Sequence, residues 1–125
     1  VGLLALGLVV SQPGLSVAAD KPGPITRLTP KEISARMKAL PTWRTDGQQL
    51  TCTYPFANFI EAVNFVNRLI APAETLQHHP DLKVTYNQVG ITLTTHDAGG
   101  LTTLDFQLAE AILKLRQGQP GCLNP

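Results

Sequence analysis

From Phe59 to Leu76, apolar side chains return every three or four positions: Phe59, Ala62, Val63, Val66, Leu69, Ile70, Ala73 and Leu76. A stripe with that period lies along one face of an α-helix, and it is the strongest periodic signal in the chain. Asn58 stands at the N-cap, where its side chain can accept from backbone N–H groups that have no partner inside the helix. Pro72 interrupts the stripe and predicts a kink near Asn67–Arg68, because its ring clashes with the carbonyl four residues back. Two further helices carry start signals. Thr29-Pro30-Lys31-Glu32 combines an N-cap, a proline at the first helical position and a capping-box acid. Ile33, Met37 and Leu40 follow at helical spacing until Pro41 stops the run. Thr102-x-x-Asp105 opens the last helix, with Leu104, Leu108, Ala111, Ile112 and Leu115 facing inward.

Other stretches alternate with a period of two. Trp43-Arg44-Thr45 and Gln49 to Phe56 flank Asp46-Gly47 and read as a hairpin around a tight turn. Pro55 lies inside the second run and removes a ladder donor, which predicts an edge position or a bulge. Leu82 to Tyr86 and Val89 to Thr95 read as a second hairpin joined through Asn87-Gln88, its strands covered on one face. The order α-β-β-α-β-β-α predicts an α+β fold: a four-stranded antiparallel sheet with three helices on one face. The opposite face must then be solvated, bound to a ligand or covered by another subunit.

The first nineteen residues are different material. Val1 to Val10 is apolar, and Val17 and Ala19 match the small −3 and −1 positions of a signal-peptidase site before Asp20. Ten residues rise only ~15 Å as a helix, about half a bilayer core, so this stretch alone does not span a membrane. Residues 1–19 read as a cleavable export signal, with a membrane-proximal anchor or a loose extension as the alternatives. Cleavage places the protein in a periplasm, an organelle lumen or the extracellular space, without stable membrane insertion; otherwise it is cytoplasmic. Residues 20–27 read as a linker, 28–117 as the domain, and 118–125 as a Gly- and Pro-rich tail.

Ten Lys and Arg against nine Asp and Glu leave a net charge of +1, and the basic residues are scattered. That excludes a binder of nucleic acid or anionic membrane driven by bulk charge. Cys52 and Cys122 have no Cys-x-x-Cys partner, which excludes a cysteine zinc knuckle and an iron–sulfur centre. Export would let them form a disulfide that staples the tail to the body; two unrelated thiols is the equal alternative.

The chemistry lies in one stretch. All three histidines, His78, His79 and His96, fall within nineteen positions of one another, near Glu74, Asp97 and Asp105. Imidazole gives or takes a proton at neutral pH. Each residue also has a structural reading. Glu74 and His78 are an i, i+4 surface pair; the adjacent histidines complement a helix C-terminus. Asp105 is a capping-box acid, and His96 is a polar residue ending a strand. No His-x3-His or His-Glu-x-x-His spacing suggests a metal, there is no Gly-x-Ser-x-Gly elbow, and Gly99-Gly100 lacks the rest of a phosphate loop. What remains is metal-free acid–base chemistry on a small polar ligand.

The segment Ala73-Glu74-Thr75-Leu76-Gln77-His78-His79-Pro80, followed by Thr95-His96 and Gly99-Gly100-Leu101-Thr102-Thr103-Leu104-Asp105, closely resembles the pterin-4a-carbinolamine dehydratases. Tyr54-Pro55-Phe56-Ala57-Asn58-Phe59 resembles that family's lead into its central helix, and Trp43 its tryptophan before the first hairpin. The likeness covers about Leu28 to Leu115. It implies the fold read above and a hydro-lyase that dehydrates 4a-hydroxytetrahydropterin to quinonoid dihydropterin with no metal or organic cofactor. It also implies active-site histidines at His78, His79 and His96 with supporting carboxylates at Glu74 and Asp105. On this reading His79 and His96 transfer protons, His78 binds and polarises the ligand, Glu74 orients a histidine, and Asp105 holds the loop. Family members pair through the sheet and form tetramers, so a homodimer or homotetramer is expected. Some also dimerise a homeodomain transcription factor, so a non-catalytic pterin-binding or protein-dimerisation module is the alternative.

Overall fold

The computed structural model describes residues 25–123; residues 1–24, with the export-signal reading, and the last two residues lie outside them. Helix α1 runs Pro30–Met37, and its capping box is formed: Glu32 N–H donates to Thr29 Oγ1 at 3.3 Å, and Thr29 N–H to Glu32 Oε2 at 2.8 Å. Strands β1 (Arg44–Thr45) and β2 (Leu50–Pro55) form the first hairpin. Its turn is held by Asp46, whose Oδ1 accepts from the N–H groups of Gln48 and Gln49, and by Gly47 at φ 90°.

The central helix comes in two segments, α2 (Phe59–Arg68) and α3 (Ile70–Leu76). The break at Leu69 sits three residues before Pro72, one residue beyond the expected kink, where the proline ring would press on the Arg68 carbonyl. The inward face differs from the expected stripe. Ala62, Phe65, Leu69 and Ala73 are buried, whereas Phe59 and Ile70 are more than half exposed. Phe65 was absent from the stripe; the apolar band is wide enough to span two ridges of the helix, and the sheet takes only one of them.

Strands β3 (Asp81–Thr85) and β4 (Gln88–Leu93) form the second hairpin. Its turn is Tyr86-Asn87, one residue earlier than expected, and Tyr86 takes the left-handed φ of 48° that the two-residue loop requires. A short 3-10 turn at His96–Ala98 leads to α4 (Thr103–Leu115), opened by a capping box between Thr102 and Asp105. Phe106 and Ala109 share its buried face with Leu108 and Ile112, while the expected Leu104, Ala111 and Leu115 are only partly buried.

All strands are antiparallel in the order β1-β2-β4-β3, with three helices, the central one divided, in the order α-β-β-α-β-β-α. Leu50, Cys52 and Tyr54 of β2 and Val89, Ile91 and Leu93 of β4 face the core. Strand β3 departs from the expected alternation: all five residues are exposed, because it is an edge. Strand β2 is internal, contrary to the edge reading of Pro55. Phe56 N–H donates to Asn87 O, so the even-numbered residues of β2 turn their polar backbone groups toward β4 and Pro55 turns away. Two-residue β1 ends before reaching Pro55, so the missing N–H leaves no carbonyl unmatched.

The tail covers that open flank. Cys122 is disulfide-bonded to Cys52, with Cα atoms 5.3 Å apart, and Leu123 N–H donates to Thr53 O at 2.7 Å. Arg116 is buried at the end of α4, its guanidinium within 5 Å of the Tyr54 and Phe56 ring centres. It donates to the carbonyls of Pro55 and Pro120, so one cation ties β2 to the tail. Burial lowers its pKa from the ordinary guanidinium value.

Candidate active site

Helix α3 ends in an unusual residue. Gln77 has φ 50°, the left-handed conformation that usually falls to glycine or asparagine, and His78 N–H reaches back to the Ala73 carbonyl. The reversal sends the two adjacent histidines into different surroundings. His78 turns inward and is 9% exposed, whereas His79 faces solvent. The i, i+4 pairing of Glu74 with His78 therefore does not form, since helical geometry has ended before His78. Glu74 pairs instead with His79, Oε1 to Nε2 at 2.7 Å.

His78 Nε2 lies 2.6 Å from Asp105 Oδ1. Asp105 is fully buried in the first turn of α4, where the helix N-terminus favours a negative charge. Its other oxygen, Oδ2, accepts from Thr95 Oγ1 at 2.7 Å and from Thr102 N–H at 2.9 Å. The Thr95 and Thr102 hydroxyls are themselves 2.8 Å apart. A carboxylate only accepts, so the network assigns the proton of neutral His78 to Nε2. Among the described residues nothing hydrogen-bonds to Nδ1.

His96 begins the 3-10 turn, its Nε2 3.9 Å from Asp81 Oδ2, and both side chains are exposed. Two chain connections draw these groups to one corner, where α3 ends, β3 begins and β4 ends. Asp81 follows His79 by two residues, and Thr95, joined to Asp105, precedes His96. The corner thus carries three imidazole–carboxylate couples, one buried and two exposed. A hollow of roughly 220 Å³ beside His79 and Glu74 is lined by Val66, Leu69, Ile70, Ala73, Pro80 and Leu82; His78 and His96 do not line it. Among the described residues no three His, Cys, Asp or Glu side chains are grouped to hold a metal ion, and no helix is long and apolar enough to cross a membrane.

Three residues of this corner escaped the sequence analysis: Asp81, Thr95 and Thr102 in its role beyond capping. Thr95 left a signal, since it shares the inward parity of Val89, Ile91 and Leu93, and a polar residue in that series needs a buried partner.

A small antiparallel α+β fold with acid–base couples at one end of its sheet is the class that the structure defines. The family model described as "Pterin 4 alpha carbinolamine dehydratase" matches residues 26–115. A protein from Picosynechococcus is 51% identical over 84 residues, covering 67% of this chain and 91% of the relative. One from Nostoc punctiforme is 49% identical over 89 residues, covering 71% and 96%. Both carry that dehydratase's name. A crystal structure titled as a transcriptional coactivator/pterin dehydratase from Brucella melitensis is 35% identical, with a TM-score of 0.68 over 72% of this chain and 98% of that one. The chain belongs to the pterin-4a-carbinolamine dehydratase family.

Proposed function

We propose that this protein dehydrates a 4a-hydroxytetrahydropterin to the quinonoid dihydropterin, a hydro-lyase step in tetrahydropterin recycling. The observation that carries the reading is the set of three imidazoles, each with its own carboxylate, at one corner of a family fold. The reaction breaks the C4a–O bond. One proton goes to the departing hydroxyl, which leaves as water, and the N5 proton is removed so that its electron pair forms the N5=C4a double bond. The proton count balances, so one general acid and one general base suffice, together contributing about 10²–10⁴-fold. His79 and His96 are solvent-accessible and suit this exchange. His78, held by Asp105, binds and polarises the ligand, and Glu74 orients His79.

The test is turnover of a synthetic 4a-hydroxytetrahydropterin by the purified protein and by its His79→Ala and His96→Ala variants. Loss of rate in both folded variants is expected; a wild-type rate in either would overturn the assignment. Tight pterin binding without turnover in the wild type would favour the second reading, a non-catalytic module, for which the exposed Phe59, Ile60 and Ile70 offer a docking face.

Two further features belong to the proposal. The exposed edge of β3, with Leu82 and Val84 uncovered and Tyr86 exposed in the turn that follows, supports pairing with a second copy to give a homodimer or homotetramer. The Cys52–Cys122 disulfide supports an oxidising compartment, in line with the export-signal reading of residues 1–19.

A further inference from the structure

We infer that Thr95 is the positioning residue that sets the histidine corner, acting on His78 through Asp105 and on His96 through the backbone. The inference rests on the dehydratase reading above for its catalytic consequence, though not for its geometry. The Thr95 side chain is buried, and its hydroxyl donates to Asp105 Oδ2 at 2.7 Å. With Thr102 N–H on the same oxygen, Oδ2 is occupied, and Oδ1 is left to receive the His78 ring. The carboxylate thereby has one orientation, and His78 one ring plane and one tautomer. A valine of the same shape would remove the shortest bond to Oδ2, leave Thr102 alone to hold that oxygen and so loosen the carboxyl's orientation toward His78.

The Thr95 main chain holds the other side of the corner. It exchanges hydrogen bonds with Gly100, and its carbonyl accepts from Ala98 N–H, closing the loop that begins with His96. The buried hydroxyl anchors the root of that loop to the first turn of α4. A single side chain therefore fixes the interior imidazole and the base of the loop bearing an exposed one. Serine keeps the hydroxyl and should preserve both effects.

The experiment compares wild type with Thr95→Val and Thr95→Ser, reading dehydration kinetics and, separately, the ring ¹⁵N shifts of His78. For Thr95→Val, kcat should fall roughly tenfold, the scale of one charge-assisted hydrogen bond, with KM within about twofold. The His78 signals should move from the pure Nε2–H pattern toward a tautomer mixture. Thr95→Ser should restore both readouts. Unchanged His78 shifts in a folded Thr95→Val protein would overturn the inference, as would a serine variant as impaired as the valine one. The spectroscopic arm needs no turnover, so failure of the dehydratase reading would show as an inactive wild type while the positioning role was still read. If Thr95→Val does not fold, wild-type behaviour of Thr95→Ser together with a disturbed His78 in Thr95→Ala supports the role, and an undisturbed ring in Thr95→Ala rejects it.

Discussion

Breaking the Cys52–Cys122 bond should cost this protein a large part of its stability while leaving its chemistry in place. The cross-link joins positions 70 residues apart, so it closes most of the described chain into one loop. On the chain-entropy model, a loop of that length removes about 15 cal/mol/K from the unfolded ensemble, or about 4 kcal/mol at 25 °C. Typical domains are stable by only about 5–15 kcal/mol, so a loss of this size removes roughly a quarter or more of the total. With a urea slope of about 1.5 kcal/mol/M, the midpoint should fall by nearly 3 M. The folded tail keeps other anchors, the Arg116 bonds to Pro55 and Pro120 and the Leu123 bond to Thr53, so the native structure should survive reduction. Urea titration of oxidised and reduced wild type compares identical residues and avoids burying a serine hydroxyl at position 52, which is only 4% exposed. Among the described residues the tail bonds to Thr42, Cys52, Thr53 and Arg116 and to none of the three histidines, so the folded reduced protein should turn over at the oxidised rate. Coincident unfolding curves would refute the entropic argument, and a rate that collapses on reduction would refute the separation of tail from site.

Three other outcomes follow from the site and the core. Asp105→Asn leaves one acceptor where two are needed, so the amide should face His78 and invert its tautomer; a loss of about 2 kcal/mol and at least ~100-fold in rate is expected, and a wild-type rate would contradict the role of the couple. Burial raises the Tyr54 phenol above its ordinary value of 10, against the opposing pull of the Trp43 hydrogen bond and the Arg116 charge. The unfolded phenol then ionises first, so this contribution is whole below about pH 10 and is lost as pH rises toward the folded-state value; Tyr54→Phe should flatten the alkaline fall in urea midpoint, and an unchanged slope would reject it. On the proposed pairing through β3, Val84→Lys should shift sedimentation toward monomer, and sedimentation unaltered from wild type would reject that edge as the seam.

Much of the fold was legible because local chemistry and long-range packing agree. The two capping boxes, at Thr29 and Thr102, were readable from three-residue spacings, and both form as read. Pro72 marked the helix break to within one residue. Where several faces could satisfy the same pattern, the reading went astray: Phe65 is inside and Phe59 outside, since an apolar band wider than its binding face does not say which ridge the sheet will choose. The histidine corner was legible as a group of residue types but not as partnerships. Pairing Glu74 with His79, and His78 with Asp105, depends on a left-handed glutamine, and nothing in a Gln-His-His string announces that torsion. Burial of Arg116 was equally hidden, because a basic residue in the last turn of a helix ordinarily lies on the surface.

That one torsion at Gln77 carries an evolutionary consequence. It assigns two chemically identical neighbours to opposite environments by backbone geometry, so the assignment depends on counting residues rather than on their kind. Lengthening or shortening the segment between Leu76 and Pro80 by a single residue would hand the interior berth to the wrong ring or to none. Diversification at this bend should therefore be confined to replacement of side chains, with insertions and deletions accumulating in the other connections of the fold.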